Sequence, residues 1–378
     1  MNISHSNSKI ETKKSKMEIA PGIEQIEKYI PGRTIEEVTS EIEIKPIIKL
    51  ASNENPFGMS PKAEYAIRNS LKKGNQYPPI INPVLQQKIA EINHIKPTCI
   101  VTGNGADSIL YSACNAFLTI NDEVLIPEVT FDIYKTASLI KGAKIIEIPM
   151  PDLFIEASEI LKRVTSKTRM IFLCNPNNPT GSLMSLNDLK YLIENISENI
   201  ILVHDEVYHE FADKNLFPDL VPYITSGHTN LILVRSMSKA YGLAGIRFGY
   251  GIMAEKTATL LHKVRPPFDN SILAQEAAIA ALSDIEFLKK TLVNNQKVKL
   301  KLYSAFQRLG FNPIKSHANF ILVDLQQNAD KITEKILQKG IIVRKPTHPR
   351  LSTYIRVSLG KENEIERFID TIKEIFEK

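Results

Sequence analysis

The chain has 378 residues, of which 43% are hydrophobic and 24% are charged, proportions that are ordinary for a globular protein. Its formal net charge of +5 comes from basic residues scattered among acidic ones, so we expect neither a nucleic-acid partner nor a membrane partner. The three cysteines lack CxxC spacing, which argues against a disulfide framework or a thiolate metal site. Reduced thiols in a cytoplasmic protein are the expectation.

The length predicts two domains behind a polar N-terminal stretch. Residues 1–18 lack the apolar segment of a secretory signal and are expected to form a flexible tail. Residues 19–47 are too few to fold alone and are expected to pack against the smaller domain. We assign residues 48–283 to a large domain and residues 284–378 to a small C-terminal domain.

In chain order, the large domain contains six short segments rich in Ile, Leu and Val that predict β-strands, at residues 99–102, 123–126, 144–148, 170–174, 200–204 and 231–234. The stretches between them are long enough to be helices, which indicates an α/β fold with a mostly parallel sheet covered on both faces. In such a sheet, ligands bind at the carboxyl ends of the strands. The polar residues that directly follow each strand are therefore the candidate functional residues.

The small domain has a different pattern, in which long helical segments alternate with single strands. Helices are predicted at residues 285–309 and 329–338 and at the C-terminus, and strands at residues 319–323, 341–344 and 353–357. This order is typical of an α+β domain.

The first candidate follows the strand at residues 99–102, where the string Gly-Asn-Gly-Ala-Asp-Ser occupies residues 103–108. A glycine turn that enters a helix presents free backbone N–H groups and a favourable dipole to an anion such as phosphate. The string is neither a Walker A loop nor GxGxxG, and by itself a plain tight turn explains it equally well.

Three later strands are followed by further polar strings. These are Asn-Pro-Asn-Asn-Pro-Thr-Gly at residues 175–181, Asp-Glu-Val-Tyr at 205–208, and Ser-Met-Ser-Lys at 236–239 with Arg247 beyond it. Taken singly, each could be a turn or a polar surface. Together they would bring an amide, a carboxylate, a phenol, hydroxyls, an amine and a guanidinium to one edge of the sheet.

This ordered set of strings resembles the class I and II aminotransferases, pyridoxal-phosphate (PLP) enzymes of fold type I. The resemblance extends from about residue 21 to the C-terminus, and it implies a mostly parallel seven-stranded sheet between helices beside a smaller α+β domain. Within the class, the strings Tyr-Ile-Pro-Gly at 29–32, Ser-Asn-Glu-Asn-Pro-Phe-Gly at 52–58 and Gln-Tyr-Pro at 76–78 are most similar to the histidinol-phosphate aminotransferases.

The resemblance implies a role for each residue that matches the cofactor site. Lys239 would hold PLP as a Schiff base and shuttle the α-proton of the substrate. Asp205 would pair with the pyridinium nitrogen and make the ring an electron sink. Tyr208 and Asn178 would bond the phenolic oxygen of the ring, and Phe131 would stack on the ring.

The implied contacts to the cofactor phosphate are backbone groups near the glycine turn, two hydroxyls and one guanidinium. They are Gly105, Ala106, Asp107, Ser236, Ser238 and Arg247. Arginine suits this position because it stays charged and offers a planar fork of donors. Tyr134, which lies in the same stretch as Phe131, is expected to have a structural role only.

The substrate side is also implied by the resemblance. Arg344 and Arg356 match anion-binding positions, and two arginines suit a phosphate dianion better than one carboxylate. Tyr29 and Asn53 match positions next to the substrate, and Tyr77 matches one supplied by a neighbouring subunit. We therefore expect a homodimer with shared active sites that acts on a phosphorylated amine and 2-oxoglutarate, here L-histidinol phosphate giving imidazole acetol phosphate and glutamate.

Some features depart from the family pattern and leave the substrate open. They are Asp107-Ser108-Ile109 after the glycine turn, Gln76 where an arginine is common, and the loop at residues 345–350. Threonine-phosphate decarboxylases and aromatic amino-acid aminotransferases share the cofactor, and the residues do not separate them from the first choice.

One alternative belongs to another class of enzyme. His204, Asp205, Glu206, His209 and Glu210 could form a metal-hydrolase cluster, but their spacing is not HExxH. The two histidines are five positions apart, so on an extended strand end they would point to opposite faces. We therefore expect no metal.

Overall fold

The computed structural model describes residues 18–28, 32–41 and 46–377. The strands are β1 (Ile48–Leu50), β2 (Ile100–Asn104), β3 (Glu123–Pro127), β4 (Lys144–Ile148), β5 (Thr168–Cys174), β6 (Ile201–Asp205), β7 (Leu231–Ser236), β8 (Phe248–Met253), β9 (Phe320–Asp324), β10 (Ile341–Val343) and β11 (Tyr354–Ser358). The α-helices are α1 (Ile35–Thr39), α2 (Pro61–Ser70), α3 (Pro83–Ile92), α4 (Ala106–Phe117), α5 (Ile133–Leu139), α6 (Ala157–Leu161), α7 (Leu186–Asn195), α8 (Val221–Thr225), α9 (Glu255–Val264), α10 (Ile272–Leu282), α11 (Ile285–Arg308), α12 (Ala329–Gln338) and α13 (Glu362–Phe376).

Seven strands form the main sheet in the order β2-β8-β7-β6-β5-β3-β4, and β8 alone runs antiparallel to its neighbours. Successive residues of a strand face opposite sides, so Leu202 packs into one core with α3, α7 and α10 while Val203 packs into another with α4, α5 and α9. Helices thus cover both faces of the sheet. The polar residues at the carboxyl ends of the strands lie along one edge of it. The predicted fold class is confirmed.

All six predicted strands of the sheet are present, with ends that differ by at most two residues. The seventh, β8, has the sequence Phe-Gly-Tyr-Gly-Ile-Met, whose alternate glycines hide the usual strand signal. Gly249 has a reason to be glycine, because a Cβ there would collide with the backbone of Gly105 and Ala106. β8 can therefore lie directly against the turn that begins α4.

The smaller unit packs α11, α12 and α13 against the antiparallel pair β9 and β11. Val298, Leu302 and Phe306 recur every four residues along α11 and form its buried stripe. β10 pairs in parallel with β1. Residues 48–50 therefore pair with a strand of the smaller unit.

The described part of the N-terminal segment contacts both units. Val38 of α1 is fully buried against Leu337 and Ile342 of the smaller unit, on the expected side. Gly22, however, lies against the carbonyl oxygen of Leu139 at the end of α5 in the large unit. The first part of this segment therefore also lies beside the large unit. The tail predicted at residues 1–18 lies outside the described residues except for Glu18.

Across the described ranges, no helix combines the length and the apolar character that a bilayer crossing requires.

Candidate active site

A cavity of about 220 Å³ lies at the carboxyl edge of the sheet, between the ends of β5, β6 and β7 and the smaller unit. Its walls include thirteen of the predicted site residues: Asn53, Ala106, Asp107, Phe131, Asn178, Asp205, Tyr208, Ser236, Ser238, Lys239, Arg247, Arg344 and Arg356. The register of the parallel strands explains the convergence, because Cys174 at the end of β5 lies beside Asp205 at the end of β6. Polar residues that follow neighbouring strands must then meet.

Asp205 is a buried carboxylate without a cationic partner. Its Oδ2 accepts a hydrogen bond of 2.6 Å from the Tyr134 hydroxyl, and its Oδ1 accepts one of 3.1 Å from the Val207 backbone N–H. Burial raises the pKa of this carboxyl to about 7, against the opposing effect of the Tyr134 hydrogen bond. Within the described residues, no lysine or arginine forms an ion pair with it. A cationic N–H donor would offset the burial of this carboxylate.

Lys239 extends into the same cavity, with its Nζ 5.9 Å from the centre of the Tyr208 ring. Burial, and next the charge of Arg356, lower the pKa of its amine to about 8. A lowered pKa makes the neutral, nucleophilic form available near neutral pH. Lys299 has an equally lowered pKa from burial, but it donates to the Ser316 carbonyl oxygen elsewhere. Position in the cavity, and not the pKa alone, therefore distinguishes Lys239.

The turn before α4 forms an anion cradle. Gly105 has φ +81°, a left-handed value, and any Cβ at this position would collide with the guanidinium of Arg247. That guanidinium is 3.4 Å from the Asp107 carboxylate. The hydroxyls of Ser236 and Ser238 lie in the same cavity, which the first N–H groups of α4 adjoin. Helix N–H groups, hydroxyls and an arginine together suit a phosphate.

Residues beyond α9 hold this turn in place, and the sequence strings did not identify them. The Asp269 carboxylate accepts hydrogen bonds from the Asn104 backbone N–H, at 3.0 Å, and from the Ser108 hydroxyl. The Asn270 amide donates to the Gly103 carbonyl oxygen at 2.6 Å. Their positions could be read only from the packing of the segment after α9 against the turn.

Asn53 and Tyr208 are bonded to each other. The Asn53 amide donates to the Tyr208 hydroxyl oxygen at 3.1 Å, while its Oδ1 accepts from the Ser358 hydroxyl at 2.7 Å. Burial raises the pKa of Tyr208. These bonds join the large unit to β11 of the smaller one, so the phenol is fixed only when the two units are packed together.

The smaller unit also supplies two arginines. Arg356 Nη1 donates to Asn178 Oδ1 at 2.6 Å, and Nη2 donates to the Ala51 carbonyl oxygen at 2.6 Å. Arg344 is tied to it by a pair of backbone hydrogen bonds of 3.1 and 2.7 Å. Both side chains line the cavity, which places two positive charges beside each other at its wall.

Not every predicted residue lies in the cavity. Gly105 lies against the guanidinium of Arg247, which lines the cavity. Tyr77 is 82% exposed and stacks on Phe268, with ring centres 4.5 Å apart. Tyr29 lies outside the described residues. Tyr134, for which we expected a structural role, bonds to Asp205. No sequence motif distinguished it from a core tyrosine.

The metal-hydrolase alternative is not favoured by the geometry. His204 Nδ1 is 2.9 Å from Glu206 Oε1, and Arg235 Nε donates to Glu206 Oε2 at 2.7 Å. These side chains form a fully buried network instead of a set of open ligands. Within the described ranges, no group of histidine, cysteine and acidic residues is arranged to hold a metal ion.

The comparisons with known proteins agree with this geometry. The family model "Aminotransferase class I and II" matches residues 45–372. The chain is 38% identical to the histidinol-phosphate aminotransferase of Desulfotalea psychrophila, over 95% of this chain and 97% of that protein. It is 35% identical to the histidinol-phosphate aminotransferase of Moorella thermoacetica, over 93% and 91% respectively.

Among solved structures, the chain resembles histidinol-phosphate aminotransferase from Sinorhizobium meliloti in complex with pyridoxal-5'-phosphate. The TM-score is 0.87 at 26% identity, and the match covers 97% of this chain and 99% of that one.

Asp205→Asn should stabilise the protein without ligand, and the gain should grow with pH. Because the native pKa of Asp205 is raised to about 7, its contribution to stability is complete in acid and is lost as pH rises towards 7. The advantage of the variant should therefore grow by roughly 1.4 kcal/mol per pH unit from about pH 4 until the native pKa is reached. Urea unfolding from pH 5 to 9 measures it.

Asp284→Asn is the matched contrast. The pKa of Asp284 is lowered, because hydrogen bonds from Ser60 and Phe287 outweigh the effect of burial. Its contribution to stability is present at neutral pH and lost in acid, so the pH dependence of this variant should have the opposite sign. An Asp205→Asn advantage that does not change with pH would contradict the assignment of an unpaired buried carboxylate.

Proposed function

This chain belongs to the class I and II aminotransferase family, and from that premise we propose that it transfers the amino group of L-histidinol phosphate to 2-oxoglutarate. The products are imidazole acetol phosphate and L-glutamate, a step of histidine biosynthesis. The enzyme class is aminotransferase and the cofactor is pyridoxal 5'-phosphate. The substrate choice rests on the names of the relatives and on one observation, the pair Arg344 and Arg356 at the cavity wall.

The pair of arginines favours a phosphorylated substrate. A phosphate monoester carries close to two negative charges at neutral pH and has three acceptor oxygens, more than one guanidinium can satisfy. The backbone bridge between Arg344 and Arg356 keeps the two guanidiniums on adjacent strand positions. Arg356 also bonds to Asn178, which would place the substrate anion close to the cofactor ring.

When bound, PLP supplies an electron sink for the electrons released at the substrate Cα. Lys239 would hold the cofactor covalently and, once displaced by the substrate amine, would take the proton from Cα and deliver it to the cofactor carbon two bonds away. Its lowered pKa suits both tasks near neutral pH. Asp205 would keep the ring nitrogen protonated, and Phe131 would stack on the ring.

The phenolic oxygen of the cofactor would be bonded by Tyr208 and Asn178. Tyr208 is oriented by Asn53, and Asn178 is oriented by Arg356, so both donors are held before a ligand enters. The phosphate would be bound at the turn before α4, through the contacts of Gly105, Ala106, Asp107, Ser236, Ser238 and Arg247.

The proposal is tested by turnover of three amine donors with 2-oxoglutarate. Purified protein loaded with PLP is expected to transaminate L-histidinol phosphate with a kcat/KM at least about a hundredfold above that for phenylalanine, since the substrate phosphate carries the negative charge that Arg344 and Arg356 can bind and the phenylalanine side chain carries none. Release of CO₂ from threonine phosphate, or a preference for phenylalanine, would instead identify one of the two related activities as the function.

Lys239→Ala should lose both turnover and the visible absorbance of covalently held cofactor, because no other amine of the described residues lines the cavity. Lys299→Ala is the matched control, since it removes a lysine whose pKa is lowered equally but which lies away from the cavity. The control should keep the absorbance and turnover. A visible absorbance retained in Lys239→Ala would refute the assignment.

We propose further that the protein is a homodimer with shared active sites. Large apolar side chains are exposed on the segment around α2 and α3 and on the segment after α9, namely Tyr65, Leu71, Tyr77, Ile80, Ile81, Val84 and Phe268. Several large apolar side chains exposed on neighbouring segments suit a protein–protein interface. Tyr77 would then reach the site of the partner copy.

Subunit complementation tests the shared site. Tyr77→Ala and Lys239→Ala should each impair the enzyme alone, but co-expressed chains should form mixed dimers in which one site has both residues. A random mixture should recover about a quarter of wild-type activity, because half of the dimers carry one intact site. No recovery in mixed dimers that are isolated with two different tags would contradict a shared site.

We also propose a cytoplasmic location and a division of the chain into two domains. The three cysteines are free and buried, which suits a reducing cytoplasm. The two domains we propose are residues 51–283 and residues 284–378, with β1 joined to the second.

A further inference from the structure

Tyr134 has two kinds of contact, and packing explains only one of them. Its ring stacks on Phe172, with centres 4.9 Å apart and planes 10° apart, and meets the edge of Phe131 at 5.8 Å. A phenylalanine would satisfy both ring contacts. The hydroxyl is fully buried and donates to Asp205 Oδ2 at 2.6 Å, and it also lies beside the Cys174 thiol. The carboxylate is the stronger of these two acceptors because it can carry a charge.

We propose that Tyr134 is a positioning residue for the cofactor, whose buried hydroxyl keeps the Asp205 carboxylate charged and aimed at the cofactor ring nitrogen. The inference rests on the proposed role of Asp205. It assigns Tyr134 no contact with substrate or cofactor, since the Tyr134 side chain is outside the cavity wall.

Among the described residues, Tyr134 is the one side chain that donates a hydrogen bond to Asp205. Five side chains face this carboxylate. They are Tyr134 on α5, Cys174 on β5, Asp107 on α4, and Glu206 and Tyr208 at its own strand end. Asp107 and Glu206 are acidic and oppose ionisation of Asp205. The Cys174 thiol donates to the Pro176 carbonyl oxygen at 3.3 Å, and the Tyr208 hydroxyl bonds to Asn53.

The hydroxyl therefore works against the burial that raises the pKa of Asp205. A hydrogen bond to a charged acceptor is stronger than one to a neutral acceptor, so its effect should be largest when Asp205 is ionised. Tyr134 also touches Phe131, the proposed stacking residue. One side chain thus contacts both the residue on the ring face and the residue at the ring nitrogen.

The test is a double-mutant cycle read by cofactor affinity. PLP is titrated into the apo form of the full chain, and binding is followed by visible absorbance. At pH 7, Tyr134→Phe should weaken PLP binding by about tenfold or more, the effect of one hydrogen bond to a charged group. In the Asp205→Asn background the same change should alter affinity by less than about twofold, because the charged acceptor is gone.

A second readout separates positioning from packing. The free energy of unfolding of the apo protein changes with pH as Asp205 titrates, and this change has a midpoint. In Tyr134→Phe the midpoint should rise by about one pH unit, because the loss of such a hydrogen bond corresponds to about one pKa unit. Tyr303→Phe is the matched control, because it removes a half-buried hydroxyl bonded to Ile314 and Ser316 in the smaller unit. It should move neither the midpoint nor PLP affinity.

If Tyr134→Phe does not fold, the same measurements are made on protein with 3-fluorotyrosine incorporated at position 134 alone. The fluorinated phenol is nearly the same size and donates more strongly, so the midpoint should fall. Equal effects of the Tyr134 change in both Asp205 backgrounds, or an unmoved midpoint, would overturn the inference. A wild-type protein that does not bind PLP would instead overturn the proposed function.

Discussion

The Asp205 carboxylate at the end of β6 is the constraint on which the arrangement of the site depends. It is buried, it accepts two hydrogen bonds, and no cationic side chain of the described chain neutralises it. Such a group favours protonation, which is why its pKa lies near 7 instead of near 4. Folding therefore leaves an electrostatic demand that a cationic ligand can meet, and ligand binding and folding stability become linked.

The fold places Asp205 where a ligand in the cavity can reach it. The sheet presents Asp205 at its carboxyl edge, and the turn before α4 places an anion cradle beside it. The smaller unit closes the other side through Asn53, Ser358 and Arg356, which reach Tyr208 and Asn178 across the boundary between the units. Since these bonds cross that boundary, the cofactor and substrate walls are complete only in the assembled chain. Relative movement of the units would disturb both walls together.

The sequence allowed the sheet edge to be predicted because strand ends are marked by abrupt changes from apolar to polar residues. Features that depend on contacts between distant parts of the chain were not predicted. β8 is a strand because Gly249 lets it approach Gly105, and that closeness is not visible in a local pattern. Asp269 acts on Asn104 and Ser108 from about 160 positions away.

Other gaps have similar physical reasons. The loop at residues 345–350, which matched no family string, is anchored by Arg350 to Glu128 and to the Met150 carbonyl oxygen in the large unit. Tyr134 looked like a core residue because its ring is one, and only the position of its oxygen gives it a further role. Side-chain identity predicts burial well, but it does not predict which buried polar atom faces which partner.

The comparison of Asp205 with Glu206 shows why position decides function here. The two acids are adjacent, both are buried, and desolvation raises the pKa of both. At Glu206, Arg235 and His204 outweigh desolvation and lower the pKa to about 2, so this carboxylate is already neutralised within the protein. At Asp205 desolvation prevails. Because successive residues face opposite sides of a strand, one acid is available to stabilise the fold and the other to bind a cation. The metal-cluster interpretation treated the two as equivalent, whereas their partners show that only Asp205 still lacks a positive charge.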